Sequence, residues 1–170
     1  MPALGDIATT FQIATHVREW GSLFRGALRR LRQRDDDVAP GDFDARSRAY
    51  IRFEDAATAS VLHLQLLANI GVPPGLVGAL WTWPAAMRSS RRVLDEMNET
   101  VAALFQIALV GSQDVLAAAV AAAEAIGDVA AAFPGRRRAA DRSSFTVLVD
   151  AAVDQLGSFV DAARRDLQRA

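Results

Sequence analysis

At 170 residues, with 51% of them apolar, the chain is long enough to bury a core and too hydrophobic to stay unfolded. A net charge of −1 provides no overall field to gather nucleic acid or acidic lipid. The lack of cysteine excludes disulfides, thiolate metal sites and cysteine nucleophiles.

Residues 6–34 predict the first helix. Ile7, Phe11, Ala14, Val17, Gly21, Phe24, Leu28 and Leu31 recur at three- and four-residue steps, and Ile13, Trp20, Leu23 and Ala27 widen the apolar face. Arg18, Arg25, Arg29 and Arg32 form a second stripe, readable as a basic face for phosphate or anionic lipid, or as a solvated back facing the acidic segment that follows. The opening MPALGDIATTFQ has no basic stretch leading into an apolar run. No signal peptide is therefore expected, and the expected location is cytoplasmic, with a peripheral position on a granule or membrane surface as its extension.

Gln33–Phe43 reads as a loop, with Pro40-Gly41 as the turn and Asp42 or Asp44 as the cap of the next helix. That second helix is predicted over 42–70. Tyr50, Phe53, Ala57, Ser60, Leu64 and Leu67 make one stripe, and past residue 56 Val61, Leu62 and Leu66 make the helix apolar nearly all round. A helix of that kind is buried in a core, an interface or lipid.

No residue from Ala56 to Met87 carries a formal charge. Gly71-Val72-Pro73-Pro74-Gly75 interrupts this stretch, which leaves each half too short for a transmembrane helix of roughly 20 residues. A short helical hinge is predicted at 73–83, with Pro84 opening the next helix. Val72, Pro73, Pro74, Leu76, Val77, Leu80, Trp81 and Trp83 are its interaction candidates, because tryptophan suits boundaries where the ring is buried and its N–H finds a partner.

The third helix is predicted over 84–133, continuous at about 75 Å or broken at Gly111-Ser112. Val93, Leu104, Val115 and Ile126 recur every eleven residues, as do Met97, Ala108, Ala119 and Ala130, a period that keeps the apolar stripe nearly straight. Phe133-Pro134-Gly135 ends it. Arg136, Arg137 and Arg138 follow as a second basic candidate, for phosphate, anionic lipid or simply solvent. The last helix is predicted over 143–169 with Ser143 or Ser144 as its cap. Phe145, Val149, Ala152, Leu156, Phe159, Ala163 and Leu167 form its heptad-like seam.

Common enzyme signatures are missing. The sequence has no G-x-G-x-x-G, P-loop or G-x-S-x-G, and neither His16 nor His63 follows a glutamate by three residues, as a helix-bundle metal site would require. His63, inside the apolar second helix, is a formal haem ligand but more simply a hydrogen-bonded core residue. The expectation is a non-enzyme with no cofactor, no metal and no nucleic-acid partner.

These elements predict one all-α domain over 1–170: a bundle of four long helices with a short Pro/Gly hinge between the second and third. The long helix 93–126 and the seam after Ser144 resemble the phasins, small helical proteins that coat polyhydroxyalkanoate granules, often as oligomers. The resemblance implies a non-catalytic coat or adaptor for a hydrophobic surface (storage granule, lipid droplet or membrane face) and transfers no site residues. The alternative is a soluble helical-bundle interaction module. Either way self-association is expected.

Overall fold

The computed structural model describes residues 42–69, 76–132 and 140–169, with only the helical path given for Leu67, Asn69, 76–90 and 140–142. The predicted helix at 6–34, the turn residues Val72, Pro73 and Pro74, and the triplet Arg136–Arg138 lie outside them. The described residues form four helices, α1 (Phe43–Asn69), α2 (Leu76–Val110), α3 (Gln113–Ala131) and α4 (Ala140–Gln168), and contain no strand. The all-α class is as predicted.

α1 starts where the sequence supplies a cap. The Asp42 carboxylate accepts the Ala45 backbone N–H at 2.6 Å, satisfying one of the free donors at the helix start. Its predicted stripe is the core face: Tyr50, Phe53, Ala57, Ser60 and Leu64 are all buried.

Two boundaries differ from expectation. The segment 76–83, predicted as a separate hinge, forms the first two turns of α2, which passes through Pro84 without ending. Proline inside a helix costs about 3 kcal/mol through its missing N–H and its ring, a penalty that a 35-residue helix with a long packed face outweighs. α4 begins at Ala140, so Ser143 and Ser144 lie within it instead of capping it; Ala140 and Asp141 suit a first helical turn.

The predicted long helix is broken at Gly111-Ser112. The Gly111 N–H makes the last helical bond, to the Ile107 carbonyl at 2.7 Å. Ser112 is extended, at φ −71° and ψ 160°, and its carbonyl accepts the Leu116 N–H at 2.9 Å, which opens α3. Both eleven-residue series cross this elbow and stay inside. Val93, Met97, Leu104 and Ala108 on α2, and Val115, Ala119, Ile126 and Ala130 on α3, are buried.

α1 lies mainly along α2, and α3 mainly along α4; α1 and α3 also touch each other, and every helix pair meets except α2 with α4 among the described residues. A single core joins all four helices. The predicted seam of α4 faces it, with Phe145, Val149, Ala152, Leu156, Phe159 and Ala163 buried and Leu167 packed at its edge. Phe159 is the anchor. Its ring lies 4.7 Å from that of Phe53 and 6.3 Å, edge-on, from that of Tyr50. Burying an aromatic ring of this size contributes about 1.5–3 kcal/mol.

Candidate interaction surfaces

The polar residues of the core are used to align helices. Ser60 on α1 and Thr100 on α2 meet at 3.1 Å. Because the Thr100 hydroxyl donates to the Glu96 carbonyl at 2.8 Å, its single proton is committed and Ser60 is the donor to Thr100. At the other end of α1, the Asp166 carboxylate on α4 accepts from Tyr50 at 2.7 Å and from Arg46 at 3.0 Å. The Tyr50 oxygen also meets the Ser112 backbone N–H at the elbow. Burial, reinforced by the adjacent Asp166 carboxylate, pushes the Tyr50 phenol far above its ordinary range. Cation, anion and phenol pair with one another here, with the Arg46 Nε alone left enclosed without a hydrogen-bond partner, so the cluster serves as a joint between helices. Sequence reading assigned Tyr50 to the core stripe without its partners; the available signal was Asp166, an acid one residue before the last position of an apolar seam.

His63 is half-buried, and its Nδ1 is enclosed without a hydrogen-bond partner. Among the described residues no group of three or more histidine, aspartate or glutamate side chains converges as a metal site would require.

Two grooves flank α1. One, of about 510 Å³, lies between α1 and α2 and is bordered by Arg48, Arg52, Asp55, Glu96 and Glu99. Arg52 and Glu99 pair across it, and the hydrogen bond from Arg52 holds the Glu99 carboxyl below the usual carboxylate range. The other, of about 400 Å³, runs between α1 and α4 beside Phe43, Ile51, Val160 and Leu167. Neither groove is an enclosed pocket of the kind that buries a small ligand.

The surface is more informative than the grooves. Ile51, Leu62 and Leu66 are 55%, 53% and 57% exposed. At 100° per residue they share the side of α1 opposite Phe53, Ala57 and Leu64. Of the apolar positions past residue 56, Val61 is buried in the core, whereas Leu62 and Leu66 are open to solvent and fall to the interface or lipid alternatives that an all-round apolar helix also allows. On α2, Phe105 and Leu109 are 46% and 70% exposed, turned away from Leu104, Ile107 and Ala108. Val101, one turn earlier on that side, is partly buried.

Of the sequence-predicted interaction residues, Leu76, Val77, Leu80, Trp81 and Trp83 lie on the first two turns of α2, where only the helical path is described. Val72, Pro73, Pro74 and all the basic-face candidates (Arg18, Arg25, Arg29, Arg32 and Arg136–Arg138) lie outside the described residues. No described helix is long and apolar enough to cross a membrane. Compared with known proteins, the chain matches no family model, no curated protein and no solved structure.

Proposed function

We propose that the protein is a non-catalytic helical interaction module that docks a partner on the outer side of α2. The observation carrying this reading is the pair Phe105 and Leu109, large apolar side chains one turn apart and open to solvent. With Val101 they form a stripe at four-residue spacing. An amphipathic helix recognises such a stripe by laying its own apolar face along it, and the simplest source of that helix is a second copy of the chain.

A second reading, a coat for a hydrophobic particle, draws support from a different feature. Residues Leu76–Met87 at the start of α2 carry no charge and include Trp81 and Trp83. Weighing against it, the two patterns that suggest phasins, the eleven-residue stripe and the α4 seam, face the chain's own core. They are spent on folding.

Light scattering on the eluting peak of a sizing column, run beside gradient flotation with phospholipid vesicles or polyester particles, separates the two. The module reading expects a defined oligomer, or a monomer captured by a helical partner, that stays with the soluble fraction, and Leu109→Glu abolishes the association. Flotation with particles that persists at high salt and in Leu109→Glu would replace it by the coat reading.

A further inference from the structure

We infer that α2 pairs with α2 of a second copy of the chain, antiparallel, about a two-fold axis at the level of Val93 that sets Arg91 of each chain against Asp95 of the other. The inference rests on the reading of the outer side of α2 as the docking surface, and it names the partner and its orientation.

The outer side carries a single stripe. Arg91, Asp95, Asn98, Ala102, Phe105 and Leu109 are all exposed and recur at alternating four- and three-residue steps. At 100° per residue they fall within a sector about 80° wide and run for about 27 Å along the helix. That alternation is the spacing of a helix–helix seam. It is open to solvent, while Val93, Met97, Leu104 and Ile107 on the other side of α2 complete the chain's own core.

The stripe is uneven, and its unevenness selects the partner. Its two charges sit together at one end and its two large apolar side chains at the other. Neither Arg91 nor Asp95 forms an ion pair with another described residue. A parallel copy in register would set arginine on arginine and aspartate on aspartate, a like-charge clash at each level. An antiparallel copy centred on Val93 does the reverse. Arg91 meets the partner's Asp95, Asp95 meets the partner's Arg91, and the four groups close a ring of alternating charge. In the same register Phe105 and Leu109 come to lie over the first three turns of the partner's α2, Leu76–Met87, none of whose residues is charged. Sliding the partner by two turns sets Arg91 and Asp95 against the partner's Ala102 and the partner's Asn98. Sliding it by four sets them against the partner's Leu109 and the partner's Phe105. Both shifts leave the charges without a counterpart.

Magnitudes divide the roles. Exposed ion pairs contribute little to affinity, so the ring fixes orientation and register, while the apolar contacts on either side of it supply the attraction. The two-fold axis makes every contact occur twice.

Exchanging the charges tests the register. Arg91→Asp sets two aspartates of one chain against two of the other, and Asp95→Arg does the same with arginines. Each variant alone should raise the dissociation constant of the dimer by about tenfold or more, read by sedimentation equilibrium. Mixed in equal amounts, the two variants should associate as tightly as the wild type, because Asp–Arg pairs then form at both levels. A chain carrying both substitutions should do so by itself. The lack of native cysteine adds a distance. A nitroxide on Gln106→Cys, exposed at the rim of the stripe, should lie about 40 Å from its twin, whereas a parallel pair would hold the two within about 20 Å.

A wild-type dimer that Leu109→Glu splits but neither charge reversal weakens would overturn the inference and leave the docking reading standing. So would the shorter nitroxide distance. A monomeric wild-type chain overturns the inference and leaves the outer side of α2 to a foreign helix. Flotation on particles that persists in Leu109→Glu overturns both.

Discussion

Tyr50 on α1 donates its phenol hydrogen to Asp166 on α4 at 2.7 Å, linking residues 116 positions apart at the place where all four helices come together. Arg46 reaches the same carboxylate, and the Ser112 N–H at the elbow faces the phenol oxygen. One polar knot therefore fixes the start of α1, the break between α2 and α3, and the end of α4. A carboxylate drawn partly out of water is costly unless paired, and Asp166, partly buried, has both a cation and a donor.

The knot predicts an alkaline transition read by a single reporter. Tyr50 is the chain's only tyrosine, and burial first, then Asp166, raises its folded pKa. An unfolded tyrosine titrates near pH 10. A raised folded pKa means that the native state holds the proton more tightly. The corresponding stability is thus full below about pH 10 and is lost as pH climbs toward the folded value. The ultraviolet absorbance of tyrosinate should appear only as the far-ultraviolet helical signal collapses. Tyr50→Phe should remove this alkaline component while costing about 1 kcal/mol at neutral pH, the usual loss of one hydrogen bond. Tyrosinate forming near pH 10 in a fully helical chain would refute the arrangement.

The two glycines at 111 and 157 should respond to alanine in opposite directions. A Cβ on Gly111 would stand 2.8 Å from the Ile107 carbonyl oxygen and 3.3 Å from the Tyr50 ring. The oxygen is backbone and cannot swing aside, so Gly111→Ala must shift the elbow, at about 1–3 kcal/mol. Around Gly157, inside α4, a Cβ meets nothing within 4 Å. Gly157→Ala should stabilise the chain by about 0.5–1 kcal/mol through helix propensity alone. Urea melts of both variants at pH 7 check the signs.

The sequence was legible where one apolar face had one destination. The heptad seam of α4 and both eleven-residue series became core because each places its large side chains on a single side of a helix. The elbow was only half legible. Gly111-Ser112 marks a weak point, but whether a helix breaks there depends on Tyr50, Asp166 and the packing of α3, which are distant in sequence. Leu62 and Leu66 were left between core, interface and lipid for a related reason. Hydrophobicity says that a face prefers cover, and it does not say which element supplies it. Pro84 misled in the opposite sense, since a local breaker lost to a long packed helix.

The hydroxyl pair between α1 and α2 should show coupling. With Ser60 as donor, Thr100→Val keeps the shape of residue 100 and removes the acceptor, leaving a buried hydroxyl without its partner at about 1–3 kcal/mol. Ser60→Ala alone should cost less, because Thr100 retains its bond to Glu96. The double variant should be no worse than Thr100→Val. Additive losses in a double-mutant cycle would mean that the two hydroxyls do not communicate.

The aromatic cluster sets the strength of the union between α1 and α4. Phe159 is fully buried, tilted against Phe53 and edge-on to Tyr50, so truncating it removes a large side chain and opens a cavity that rigid helices cannot fill. Phe159→Ala should cost about 3–5 kcal/mol, whereas Val153→Ala, on the exposed side of the same helix, should stay within about 0.5 kcal/mol. Phe159→Leu separates burial from ring geometry: it keeps most of the apolar area and loses the ring–ring contacts, worth about 0.5–1.5 kcal/mol. Combined with Phe53→Ala, the Phe159→Ala loss should be less than additive, since each ring fills the space beside the other. Equal costs for Phe159→Ala and Val153→Ala would mean that the heptad seam of α4 does not face α1, and the order of the helices would have to be redrawn.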